Sequence, residues 1–151
     1  GRRLGADGLS FPAKKERHRL IRNNLGWEHL SVEGPWTMQR GKYTYLFYSG
    51  GAYCNDTYAV GVARATSPLG PFTKKGAPIL TGNGKWTGPG HNSITALGGK
   101  TYIVYHAWPG AHTCNDAGDR DLLLDRVSWS GGWPHVADGH PSTKAKPVPH
   151  P

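Results

Sequence analysis

Two side chains carry chemistry that a buried framework does not need. Glu33 lies in Ser31-Val-Glu-Gly-Pro-Trp36 and His91 in Gly88-Pro-Gly-His-Asn92. Glutamates are scarce, the other two being Glu16 and Glu28, and only Glu33 sits in a Gly-Pro-aromatic corner that opens an apolar run. A carboxyl group partly buried beside an aromatic such as Trp36 is held toward its neutral form and can serve as a proton donor. Gly34 and Pro35 would restrict the backbone so that this carboxyl faces a pocket. His91 is a candidate polar contact at a strand mouth, with a loop hydrogen bond as the alternative, and a lone histidine makes a poor zinc site.

Side chains so far apart in the chain need elements that bring them together, and an internal repeat supplies these. Residues 44–48, Thr-Tyr-Leu-Phe-Tyr, read against 101–105, Thr-Tyr-Ile-Val-Tyr, at an offset of 57, each after a Gly-Lys turn. First strands are expected at 36–40 and 92–97, and third strands at 58–63 and 122–127. The units close in Gly/Pro/aromatic corners at 67–72 and 130–134. Segment 8–11 is expected as the last strand of a preceding unit, with 20–24 as a connection. Antiparallel units at this period describe propeller blades, whose inner strands converge on an axis. The same offset aligns Gly34 with His91, so Glu33 and His91 fall at the mouths of adjacent inner strands. His106, inside an apolar strand, reads as a packed core histidine.

Composition agrees with an all-β chain: 22 glycines, 12 prolines and 16 aromatics in 151 residues favour short strands and punctuated turns. The formal charge of +8 gathers near the two ends rather than along a stripe with aromatics, which argues against nucleic acid. No run of about 18 apolar residues marks a membrane span. Cys54 and Cys114 each open Cys-Asn-Asp; they are either bridged, which suits an extracellular setting, or two buried thiols. Residues 1–137 are read as blades and 138–151, with four prolines, as an extended tail.

Residues 32–36, 45–50, 58–63, 67–72, 88–92, 104–107 and 122–127 with Gly132-Trp-Pro134, in unbroken order, resemble the C-terminal part of glycoside hydrolase family 43. The resemblance implies a five-bladed β-propeller, of which this chain supplies roughly the last two to two and a half blades. It implies inverting hydrolysis of arabinose- or xylose-containing plant polysaccharides outside the cell, with no required cofactor. Glu33 would be the general acid, His91 the residue nearest a central calcium or water cluster, and Arg120 a substrate contact. Tyr53, Asn55 and Trp36 are further expected sugar contacts. The family's general base and its second, tuning aspartate come from earlier blades that nothing here matches. An N-terminal propeller segment or a companion chain is therefore the expected partner. The rival reading is a non-catalytic carbohydrate-binding β-module that stacks sugars on Trp86 and Trp108; a basic interaction protein is a third.

Overall fold

The computed structural model describes residues 1–12, 16–114 and 118–150. Among the described residues, eight strands form two four-stranded antiparallel sheets, each in sequential order. The first holds β1 (Val32–Arg40), β2 (Tyr43–Gly50), β3 (Ala59–Ala65) and β4 (Thr73–Lys74). The second holds β5 (Trp86–Leu97), β6 (Lys100–Pro109), β7 (Asp121–Ser130) and β8 (Trp133–Val136). Turns join the first two strands of each sheet as the repeat requires, Gly41-Lys42 in the first but Gly98-Gly99 in the second, where Lys100 already pairs with Leu97. The inner strands start earlier than periodicity suggested, because their first residues include glycines and prolines that pair only through irregular register. Each sheet also gains a short fourth strand, β4 just past the 67–72 corner and β8 starting inside the 130–134 one.

Apolar side chains of the two sheets meet in one core, in which Tyr45, Phe47, Val60 and Val62 of the first pack with Ile94, Ile103, Tyr105 and Val127 of the second. The Tyr45 hydroxyl reaches across to the Gly132 carbonyl at 2.7 Å. A buried carboxylate pins each sheet to a flanking segment. Glu28, in the 3-10 turn Gly26–Glu28, accepts from Tyr48, Lys74 and the backbone of Asn24 and Leu25. Asp125 accepts from Tyr105, Ser142 and Lys146. Burial opposes ionisation of both, yet these donors outweigh it and hold each carboxyl below its usual range.

The strand expected at 8–11 does not form. Asp7 Oδ1 accepts from the N–H groups of Leu9 and Ser10 and from the Ser10 hydroxyl, and Gly8 adopts φ 68°, so the segment closes on itself as a turn. The tail after β8 runs extended but is anchored: Asn83, Lys85 and Trp86 side chains donate to the carbonyls of Pro141, Thr143 and Ser142.

The repeat register shows one imbalance. Tyr45, Phe47, Val60 and Val62 correspond to Tyr102, Val104, Leu122 and Leu124. The first four are at most 3 % exposed under the second sheet, whereas Leu122 is 78 % and Leu124 42 % exposed. A face of the second sheet that matches a buried face of the first is left largely open.

Candidate active site

Glu33 leads β1 at a bulge: it pairs with Ser49, the next regular pair is Trp36 with Phe47, and Gly34-Pro35 take up the extra residue. Gly34 adopts φ 55°, which a side chain would strain, and the His91 ring lies against it. His91 itself holds φ 50° and donates its N–H to Ser49 Oγ at 2.8 Å, which stitches the mouths of β5 and β2 together. The alignment of Gly34 with His91 is thus a spatial contact.

The Glu33 carboxylate accepts a 2.8 Å hydrogen bond from the Tyr58 hydroxyl. Burial first, then the Glu33 carboxylate, against a lowering contribution from Ser49, push the Tyr58 phenol well above its ordinary range, so it remains a donor. Its ring enters the space over Gly90, where a Cβ would lie 2.0 Å from Cε1. Beyond it lies the His106 imidazole, parallel within 8° and 5.8 Å away between centroids.

His106 corrects the expectation of a core residue: it faces this cluster. Arg120 Nη1 lies 3.2 Å from His106 Nε2, and the His91 ring centroid is 6.4 Å away. Burial, then the charges of Arg120 and His91, push the imidazole down to about 4, against the pull of Glu33. His106 is therefore neutral at neutral pH. Because arginine only donates, Nε2 is assigned as the acceptor and the proton to Nδ1. That Nδ1 is buried with no hydrogen-bond partner.

The Arg120 guanidinium also lies over the rings of Trp108, at 5.3 Å, and Tyr53, at 6.0 Å. Trp108 donates its indole N–H to the Tyr53 carbonyl at 3.2 Å. Cys54 and Cys114 are joined in a disulfide that ties the loop after β2 to the loop after β6.

Glu33, His91, Arg120 and Tyr53 consequently share one end of the two sheets. Asn55 is committed elsewhere: its Oδ1 accepts from the Thr57 N–H and hydroxyl, shaping its own loop. Trp36 lies past the bulge and is 44 % exposed, and Glu33 is exposed, so the apolar enclosure expected between them is not formed by this chain. The sugar-stacking tryptophans of a binding module are also engaged, Trp86 by the tail and Trp108, only 5 % exposed, by Tyr53. Among the described residues no three His, Cys, Asp or Glu side chains gather as a cation site. Those described donors do not by themselves form a calcium site.

Tyr58 and His106 escaped the sequence reading, although the repeat marks both. Ser49 and His106 are 57 residues apart, as are Glu33 and Gly90, and Tyr58, preceding Ala59, matches Arg120, preceding Asp121. The site is assembled from positions at which the two units differ.

Known proteins are similar to this chain in sequence and fold. The family profile described as glycosyl hydrolases family 43 matches residues 5–134. An extracellular exo-α-(1→5)-L-arabinofuranosidase of Cellvibrio japonicus is 34% identical over 82% of this chain and 38% of its own length. An extracellular endo-α-(1→5)-L-arabinanase of Bacillus subtilis is 33% identical over 69% of the chain and 34% of its own length. Among solved structures, a thermostable family-43 glycoside hydrolase superposes with a TM-score of 0.85 at 30% identity, covering 98% of this chain and 49% of that one. A Cellvibrio cellulosa α-L-arabinanase complexed with arabinohexaose gives 0.70 at 29% identity, covering 89% and 48%. The chain thus spans a third to two fifths of these curated relatives and about half of these solved chains. The two sheets are blades of a five-bladed propeller type, and the chain belongs to glycosyl hydrolases family 43.

Proposed function

We propose that this chain supplies the proton-donating half of an inverting glycosidase acting on arabinose- or xylose-containing plant polysaccharides outside the cell. The observation that carries the reading is the Glu33 carboxyl, presented by a bulge at the common end of two blades and oriented by Tyr58, with His91 against the adjacent Gly34 and Arg120 joined to the same cluster through His106. In such a reaction Glu33 gives its proton to the glycosidic oxygen as the bond to the anomeric carbon breaks. A second carboxylate about 6.5–9.5 Å away takes a proton from the water that attacks the opposite face of the sugar. Arg120 is suited to hold sugar hydroxyls through its donors. Neutral His106 keeps the guanidinium in place without adding charge beside the acid.

The second carboxylate belongs, in this reading, to further blades, on an adjoining segment or a companion chain. The face bearing Tyr102, Val104, Leu122 and Leu124 offers them a seat, since its counterpart in the first sheet is closed by the next blade. Those blades would also supply the apolar enclosure that Glu33 lacks here. The disulfide and the extracellular relatives favour action outside the cell.

The test is Glu33→Gln in the assembled propeller, assayed on an arabino-oligosaccharide and on an aryl glycoside whose leaving group departs without protonation. Turnover of the first should fall about 10²–10⁴-fold, the usual worth of a positioned general acid, while the second is affected much less and sugar binding persists. Equal losses on both substrates would refute the assignment.

A further inference from the structure

We propose that the Cys54–Cys114 disulfide positions a saccharide-contacting wall made of Tyr53 and Arg120 and backed by the buried Trp108, so that opening it weakens sugar binding while leaving both sheets intact. The inference rests on the glycosidase reading for its ligand class, but its geometry is independent of that reading. Tyr53 immediately precedes Cys54 and presents a half-exposed ring, 52 % accessible. Its carbonyl takes the indole N–H of Trp108, which lies near the end of β6, the strand that leads into the loop holding Cys114. Arg120 follows that loop, lies over both rings and meets His106.

Two loops from different sheets thus converge on one cation and two aromatic faces. The bridge, spanning 60 residues with Cα atoms 4.9 Å apart, is the covalent link between them. An exposed aromatic beside a guanidinium is suited to a sugar ring, apolar on its C–H face and polar at its rim. The strands do not need this link, since β2 with β3 and β6 with β7 carry continuous ladders. What the link removes is the freedom of the loops to drift apart.

The test compares the parent with Cys54→Ser/Cys114→Ser. On the full chain, side-chain N–H resonances of Trp108 and Arg120 should shift or broaden while the backbone amides of β2 and β6 stay in place. In the assembled propeller, KM for an arabino-oligosaccharide should rise at least about fivefold with kcat held within twofold. Reoxidation of a mildly reduced parent should restore KM. Unchanged Trp108 and Arg120 signals would overturn the proposal, as would a loss spread over the amides of both sheets, because the bridge would then hold the fold and not the wall. Absence of turnover in the parent assembly would instead defeat the glycosidase reading, leaving the two side-chain resonances to decide this one.

Discussion

Gly90 is where the site's geometry is least forgiving, and Gly90→Ala measures it. A Cβ at this position would lie 2.0, 2.4 and 2.9 Å from Cε1, Cδ1 and Cζ of Tyr58. Ordinary carbon contacts begin near 3.5 Å, so the ring must retreat by about 1.5 Å. It cannot do so freely and keep its hydroxyl on Glu33, because the ring is 0 % exposed and already stacked on His106. Overpacking of this kind costs about 1–3 kcal/mol, which in a chain of this size lowers Tm by about 2–12 °C. Gly26→Ala is the control: it makes the same chemical change where nothing lies within 4 Å, and substitutions of that kind usually stay within about 0.5 kcal/mol. Thermal unfolding of the two variants, together with Tyr58→Leu and the Gly90→Ala/Tyr58→Leu pair, gives a double-mutant cycle. A coupling of at least about 1 kcal/mol is expected, since the smaller side chain at position 58 makes room for the methyl group. If Gly90→Ala unfolds at the same temperature as Gly26→Ala, or its cost is unaffected by removing the Tyr58 ring, the placement of Tyr58 is wrong. The argument that it orients Glu33 would fall with it.

Three other outcomes follow from the same structure. His106 is held near 4 when folded and titrates near 6.5 when unfolded, so between those pH values the unfolded chain binds more protons. Stability should be lost as pH falls from about 6.5 to 4, and His106→Asn should flatten that part of a denaturant-midpoint profile; an unchanged slope would mean the imidazole is not enclosed. Glu28 and Asp125 are depressed when folded, so their contribution is present above the usual carboxylate range and disappears at more acid pH, as they protonate. Lys74→Met should remove part of that deeper acid dependence by taking away one of the donors to Glu28. Leu122→Asp with Leu124→Asp, on strand residues already largely exposed, should leave the chain's own Tm within a few degrees. The pair should abolish its assembly with the remaining blades in a sedimentation or co-purification assay, and retained assembly would show that another face is used.

Most of the architecture was open to reading because it is periodic. Thr44–Tyr48 and Thr101–Tyr105 carry the apolar alternation and the Gly-Lys turns that define strand and register, and local rules decide both. The misreadings share a cause, a local signal overridden by a specific partner. Segment 8–11 has the residues of a strand, but the Asp7 carboxylate captures its N–H groups. His106 has apolar neighbours in sequence, yet the substitution of glycine for Glu33's counterpart at position 90 admits Tyr58, whose ring gives His106 a stacking surface.

That last relation explains why the site was only half visible. Each blade offers three positions at its mouth, and in the first they hold Glu33, Ser49 and Tyr58, in the second Gly90, His106 and Arg120. A motif search finds Glu33 because its corner is unusual, but Tyr58 and His106 become meaningful only when the two triplets are laid over one another. The first blade extends its acid and its phenol toward the second. The second leaves a gap at Gly90, and beyond it sets a neutral imidazole and a guanidinium. The proposed chemistry therefore arises where the repeat breaks its own pattern, while Tyr48 and Tyr105, which keep it, hold the blades in place through carboxylates drawn from unrelated positions, Glu28 and Asp125. The open face of the second blade extends the same reasoning: in the proposed reading, an intact pattern with no sheet upon it is the seat of the blades that carry the second carboxylate.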